Sequence, residues 1–140
     1  MTSGNETLRA AMRIILAALY GIAGIAHLLV PDKFLAITPS WVPFAPAVIF
    51  ITGLCEIAGS VALLIPRLRQ WAGMALAAYA LCVWPANFKH AIDGIDLPYI
   101  ANSWWYHGPR LALQPVIIWL SLYGAGVIDW PWRRRQPPRA

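Results

Sequence analysis

"PAVIFITGLCEIAGSVALLIP", Pro46 to Pro66, decides the class of this protein. Between the two prolines every residue is apolar or small except one, Glu56, near the middle. A helix needs roughly 20 such residues to cross a hydrocarbon core. A charge at that depth has to face other protein groups. Working outward, three more stretches have comparable length and character: about Leu8–Val30, Gln70–Ile92 and Gly108–Ile128. The reading is therefore all-α, a four-helix transmembrane bundle forming one domain over residues 1–132. Residues 133–140, "RRRQPPRA", follow as a basic tail.

Composition agrees. Hydrophobic residues make up 59% of the chain and charged residues 12%, with a mean hydropathy of +0.57. A soluble domain carries roughly 25% charge, so this one lacks the polar side chains to cover its apolar surface in water. The net charge of +5 does not point to nucleic acid, because the basic residues flank the apolar stretches instead of forming a patch. The two cysteines, Cys55 and Cys82, have no motif spacing and read as small buried hydrophobes.

Charge placement gives an orientation. With four alternating spans, Arg9, Arg13, Arg67, Arg69, Arg133, Arg134, Arg135 and Arg139 fall on one side. Lys33, Lys89 and Arg110 fall on the other. Loops rich in Lys and Arg stay cytoplasmic, so both termini are expected in the cytoplasm of a bacterial inner membrane, with the lipid bilayer as first partner. Of the outer loops, "PDKFLAITPSWVPFAP" (Pro31–Pro46) has too many prolines for one regular helix and is expected to lie along the interface. "SWWYHGPR" (Ser103–Arg110) reads as an aromatic belt preceding the last span, and Trp130 and Trp132 as its inner counterpart.

Every span contributes a polar residue to the interior: His27, Glu56, Asn87 with His90, and Arg110 with Gln114. Tyr20, Gly24 and His27 share one helix face, as do Gly53, Glu56 and Ser60. Pro85 and Pro115 each free a carbonyl near these groups, those of Leu81 and Leu111. Such carbonyls are tolerated in a membrane where polar neighbours satisfy them. The cluster reads as an outward-facing pocket. Glu56, His27 and Arg110 are the catalytic candidates, with Glu56 carrying protons and Arg110 holding anionic oxygens or Glu56 itself. Asn87, Gln114 and His90 are the candidate ligand-binding residues. The other reading is structural: a buried Glu56–Arg110 ion pair that fixes helix register, with Asn87 satisfying the Pro85 kink. Lys89 and His107 read as solvated or snorkelling side chains. The histidine spacing supports neither a metal site nor a haem.

Five segments resemble the DoxX-like family of small four-helix membrane proteins. They are "GIAHLLVPDKF" (Gly24–Phe34), "ITPSWVP" (Ile37–Pro43), "TGLCEIAGSVALLIPRLR" (Thr52–Arg69), "VWPANFKHA" (Val83–Ala91) and "RLALQPVIIW" (Arg110–Trp119). The last resembles an Arg-Leu-Pro-Leu-Gln pattern, with Ala112 in place of the proline and Pro115 after Gln114. The family takes its name from a subunit of a thiosulfate:quinone oxidoreductase, and some relatives are linked to oxidative-stress systems. The resemblance implies the fold and a redox association, and brings no cofactor motif. The leading reading is an accessory or catalytic subunit of a membrane redox system that binds a quinone or small lipophilic molecule at the polar cluster, with other membrane redox subunits and a second copy of the chain as candidate partners. The alternative is a non-enzymatic scaffold, or a binder or transporter of a small lipophilic molecule.

Overall fold

The computed structural model describes residues 3–97 and 102–130. Trp132 and the basic tail lie outside them. The described residues form five helices: α1 (Ser3–Leu29), α2 (Pro31–Ile37), α3 (Ala45–Leu64), α4 (Arg69–Ile92) and α5 (Trp104–Gly124). Two of these are long and apolar enough to cross a membrane, Asn5–Leu29 and Ala45–Leu64. Helices α4 and α5 have 24 and 21 residues. Their apolar character is interrupted by Gln70, Asn87, Lys89 and His90 in the one and Arg110 and Gln114 in the other.

Sequential long helices run antiparallel. Gly21 faces Ser60 while Gly24 faces Gly53, so α3 descends as α1 rises. On the far side, Gly73 meets Ser121 and Asn87 meets Gln114. Contacts also link α3 with α4 and α1 with α5, which closes the four long helices into a ring. The apolar core of Leu16, Tyr20, Leu63, Ala72, Leu76 and Ala125 occupies the half where α1 and α4 begin. The opposite half holds the polar side chains.

Large apolar side chains are exposed along the helices while several polar ones are buried. Ile14, Ile22, Leu29, Phe50 and Leu81 are exposed, whereas Arg9, Glu56, His90, Gln114 and Ser121 are buried. Cys55 and Cys82 are free and exposed, which corrects their reading as buried residues.

Three boundaries differ from the sequence reading. Helix α1 starts at Ser3, ahead of the expected Leu8. Helix α5 starts at Trp104 instead of Gly108, because the Ser103 hydroxyl accepts from the Trp105 amide and caps it. The expected aromatic belt is thus the first turn of the helix, and α5 ends correspondingly early, at Gly124. Within the proline-rich loop, Pro31 opens the seven-residue α2 at a position that needs no amide hydrogen. Phe44, at φ 50°, then turns the chain into α3, an uncommon backbone for a residue with a Cβ.

Candidate functional site

Helix α1 meets α3 through glycine. A Cβ on Gly24 would lie 2.6 Å from the Gly53 carbonyl oxygen, and one on Gly53 would lie 2.8 Å from His27 Cβ. Only bare backbone permits this approach, and small residues at helix crossings serve that purpose. One turn further along, the approach brings His27 Nδ1 to 2.7 Å from Glu56 Oε2. The same nitrogen is 3.0 Å from the Ala23 carbonyl, which can only accept. Nδ1 therefore carries the proton and shares it between two acceptors, leaving Nε2 as the other end of the ring. Phe34 of α2 stacks on the imidazole at 3.8 Å and holds its plane. Glu56 is 4% exposed, so the pair is withdrawn from the surroundings.

The second polar system joins α4 to α5 and reads as a directed chain. His90 Nε2 donates to the Ile95 carbonyl at 3.1 Å. Its Nδ1 is then free to accept from Arg110 Nη1 at 2.7 Å. Arg110 Nη2 donates to Asn87 Oδ1 at 2.6 Å. The Asn87 amide donates to Gln114 Oε1 at 3.3 Å, and Gln114 Nε2 donates to the Ala80 carbonyl. Each group takes the role its neighbour requires. Asn87 thus bonds side chains of α5 instead of the carbonyl freed by Pro85. Gln114 supplies the backbone bond, one residue earlier than Leu81, where the proline ring opens the helix.

The expected Glu56–Arg110 contact is replaced by these two separate systems. Glu56 pairs with His27, and Arg110 with Asn87 and His90. Two other assignments change. Lys89 Nζ donates to the Ala36 carbonyl at 3.1 Å, tying the C-terminus of α2 to α4, and stands 3.7 Å from Asp93. His107 is 2% exposed and packs edge-on against His90 at 4.8 Å, so it is buried and not solvated.

Both systems face one cavity of about 280 Å³. Its polar patch is His27, Glu56, Asn87 and Arg110. Its apolar wall includes Phe34, Ile37, Val42 and Val83, with Trp41 and Pro39 from the segment after α2. A second hollow of about 240 Å³ adjoins it and shares Ala23, Glu56, Tyr79, Val83 and Asn87. Gln114 lines the second hollow; His90 lines neither and holds Arg110 from behind. Among the described residues no group of three His, Cys, Asp or Glu is placed to hold a metal ion.

Residues 16–124 match a domain of unknown function, DUF8561. The chain belongs to that family. No curated protein and no solved structure matches it. All six candidate residues, from His27 to Gln114, lie inside the matched stretch of the family. So does Tyr79, which the sequence reading passed over. Its hydroxyl lies toward Glu56 and Thr52, and its ring stands edge-on to Tyr20 at 6.3 Å. The signal was present in the sequence: Tyr79, Val83, Asn87 and His90 share one helix face.

Proposed function

We propose that this chain is a multi-pass protein of a bacterial inner membrane. On this reading it is a four-helix bundle related to the DoxX-like proteins, with both termini cytoplasmic. It serves a membrane redox system by binding a quinone-type molecule in the cavity at His27, Glu56, Asn87 and Arg110. The observation that carries the reading is that cavity, an apolar slot whose wall carries hydrogen-bonding groups from both helix pairs. Its volume sits near the lower end for ligand pockets, ~300 Å³, which suits a quinone head group with its tail emerging between helices.

The wall has the groups such a ligand needs. Arg110 commits two N–H groups to His90 and Asn87, of the five a guanidinium has. The rest can donate to a carbonyl or anionic oxygen. Reduction of a quinone to a quinol takes up two electrons and two protons. The electrons come from a partner redox subunit; Glu56 and His27 hold and pass protons at the oxygen they face. Apolar side chains exposed all round the helices support the multi-pass reading. So does the gathering of Arg9, Arg13 and Arg69 at the end opposite Lys89 and Arg110.

A second reading has its own support. The α4–α5 chain from Ile95 to Ala80 is satisfied end to end, as a structural lock would be. The protein would then be a non-enzymatic scaffold or lipophilic-molecule binder. One experiment separates the two: purify the protein in mild detergent, extract it for quinone, and titrate a short-chain quinone while following tryptophan fluorescence. Quenching that W41F removes, and that E56Q weakens without unfolding the protein, is the expected result. A quinone-free sample whose fluorescence ignores quinone would sink the redox reading.

A further inference from the structure

We propose that a second site, at the end where α1 and α4 begin, binds a phosphate group. A cleft of about 170 Å³ opens there between α1, the start of α4 and the turn after α5. Arg9, Arg13, Arg69 and Gln70 line it, together with Glu6, Pro66, Ala125 and Gly126. Arg9 is 3% exposed, Arg13 is 9% exposed and Arg69 is half-buried.

The arginines are not used up by internal partners. Arg9 Nη2 donates to Asp129 Oδ1 at 2.6 Å and to the Ile128 carbonyl, and its guanidinium lies 4.2 Å over the Tyr123 ring. Arg9 Nη1 is buried and has no hydrogen-bond partner among the described residues. Arg13 Nη1 donates to the Gly124 carbonyl at 2.9 Å. Arg69 Nε is likewise buried with no hydrogen-bond partner among the described residues. A buried donor left unmade is costly, and two in one cleft ask for a shared acceptor. Three guanidinium groups face the two carboxylates of Glu6 and Asp129, so the cleft keeps an excess positive charge.

The missing acceptor is an anion with several oxygens. Guanidinium forks match phosphate geometry. Arg69 also opens α4, where the positive end of the helix dipole adds to the attraction. Basic pockets between helices near a membrane surface take phospholipid head groups; a soluble phosphate offers the same chemistry.

The test uses the full-length protein in an uncharged detergent and phosphate-free buffer. Three probes are added separately: dioleoyl phosphatidylglycerol, dioleoyl phosphatidylcholine and inorganic phosphate. Binding is read by native mass spectrometry and by the shift in melting midpoint. Phosphatidylglycerol binding in preference to phosphatidylcholine, weakened about tenfold by R69Q, assigns the site to an anionic head group. Protection by inorganic phosphate with the same sensitivity to R69Q assigns it to a soluble phosphate. In either case E6Q, which removes the competing carboxylate, tightens binding, an effect opposite to that of a merely damaged fold. Binding of no probe, or binding that ignores both R69Q and E6Q, overturns the proposal.

Discussion

Replacing Gly24 by alanine tests whether backbone contact between α1 and α3 is what creates the His27–Glu56 pair. The new Cβ would lie 2.6 Å from the Gly53 carbonyl oxygen, 2.8 Å from Ile57 Cγ1 and 3.0 Å from Glu56 Cβ. Backbone oxygen cannot swing aside, so the helices themselves must separate. Ordinary contact begins at 3.4 Å, which puts the separation at roughly 0.8 Å, the difference from 2.6 Å. The same movement carries His27 Nδ1 and Glu56 Oε2 from 2.7 Å to about 3.5 Å, beyond a useful hydrogen bond. Overpacking costs ~1–3 kcal/mol, and losing an interhelical bond in a membrane protein costs ~0.6–1.7 kcal/mol. The sum is about 2–5 kcal/mol, read as a lower unfolding midpoint in mild detergent by circular dichroism. Gly21 is the control on the same helix pair. A Cβ there meets only the Ser60 side chain, Oγ at 3.4 Å and Cβ at 3.9 Å, so G21A is expected to be neutral or stabilising, by up to ~1 kcal/mol of helix propensity. A cycle with H27A gives the sharper readout: in the G24A background, H27A should cost about 1 kcal/mol less, because the bond is already gone. Equal stability of G24A and G21A, or strict additivity of G24A with H27A, would refute the reasoning.

Three further outcomes follow from the packing. G73A places a Cβ against Ala125 Cβ and 2.7 Å from the Ser121 carbonyl; this should cost ~3 kcal/mol or more, seen as loss of folded protein on size-exclusion chromatography. R110K keeps the charge but cannot span His90 and Asn87 with a planar fork, so unfolding in detergent should come ~1–3 kcal/mol earlier. K89M removes the bond from Lys89 to the Ala36 carbonyl. Hydrogen exchange should then speed up in residues 31–37, while global stability stays within ~0.5 kcal/mol.

The helices were legible because long apolar runs leave the backbone few alternatives, and α4 begins and ends within a residue of its expected bounds. What failed at α5 was a local rule: Ser103 is an N-cap, and the tryptophans after it drew the eye to an interface. The six polar residues were also legible as an interior set, since their cost in an apolar setting demands partners. Their pairing was not. His27 and Arg110 both come from span ends on the same side of Glu56, and spacing along one helix says nothing about which neighbour comes closest. The deciding residues were the glycines. Gly24 and Gly53 bring α1 and α3 together and hand Glu56 to His27. Lys89 and His107 were misread for a related reason, because α2 and the packed start of α5 give them partners that a bare span end would lack.

Separating the polar groups into two systems changes what the cavity is. The most extensive contacts are within α1–α3 and within α4–α5, and each pair carries its own hydrogen-bonded set. Between the pairs, most polar links lie away from the cavity: Arg9 and Arg13 reach Asp129, Ile128 and Gly124 at the far end, and the Tyr20 hydroxyl donates to the Leu76 carbonyl at 3.3 Å. At the cavity itself, the Tyr79 hydroxyl lies toward Glu56 and Thr52. The cavity lies along this seam, with His27 and Glu56 on one bank and Asn87 and Arg110 on the other. A Glu56–Arg110 ion pair would have closed the seam and left no reason for a ligand. With Glu56 and Arg110 each hydrogen-bonded on its own bank, a molecule that touches both adds a cross-link to the one Tyr79 makes with Glu56. Ligand binding should therefore stabilise the packing of one helix pair on the other more than it stabilises either pair, because its contacts span the two banks of the cavity.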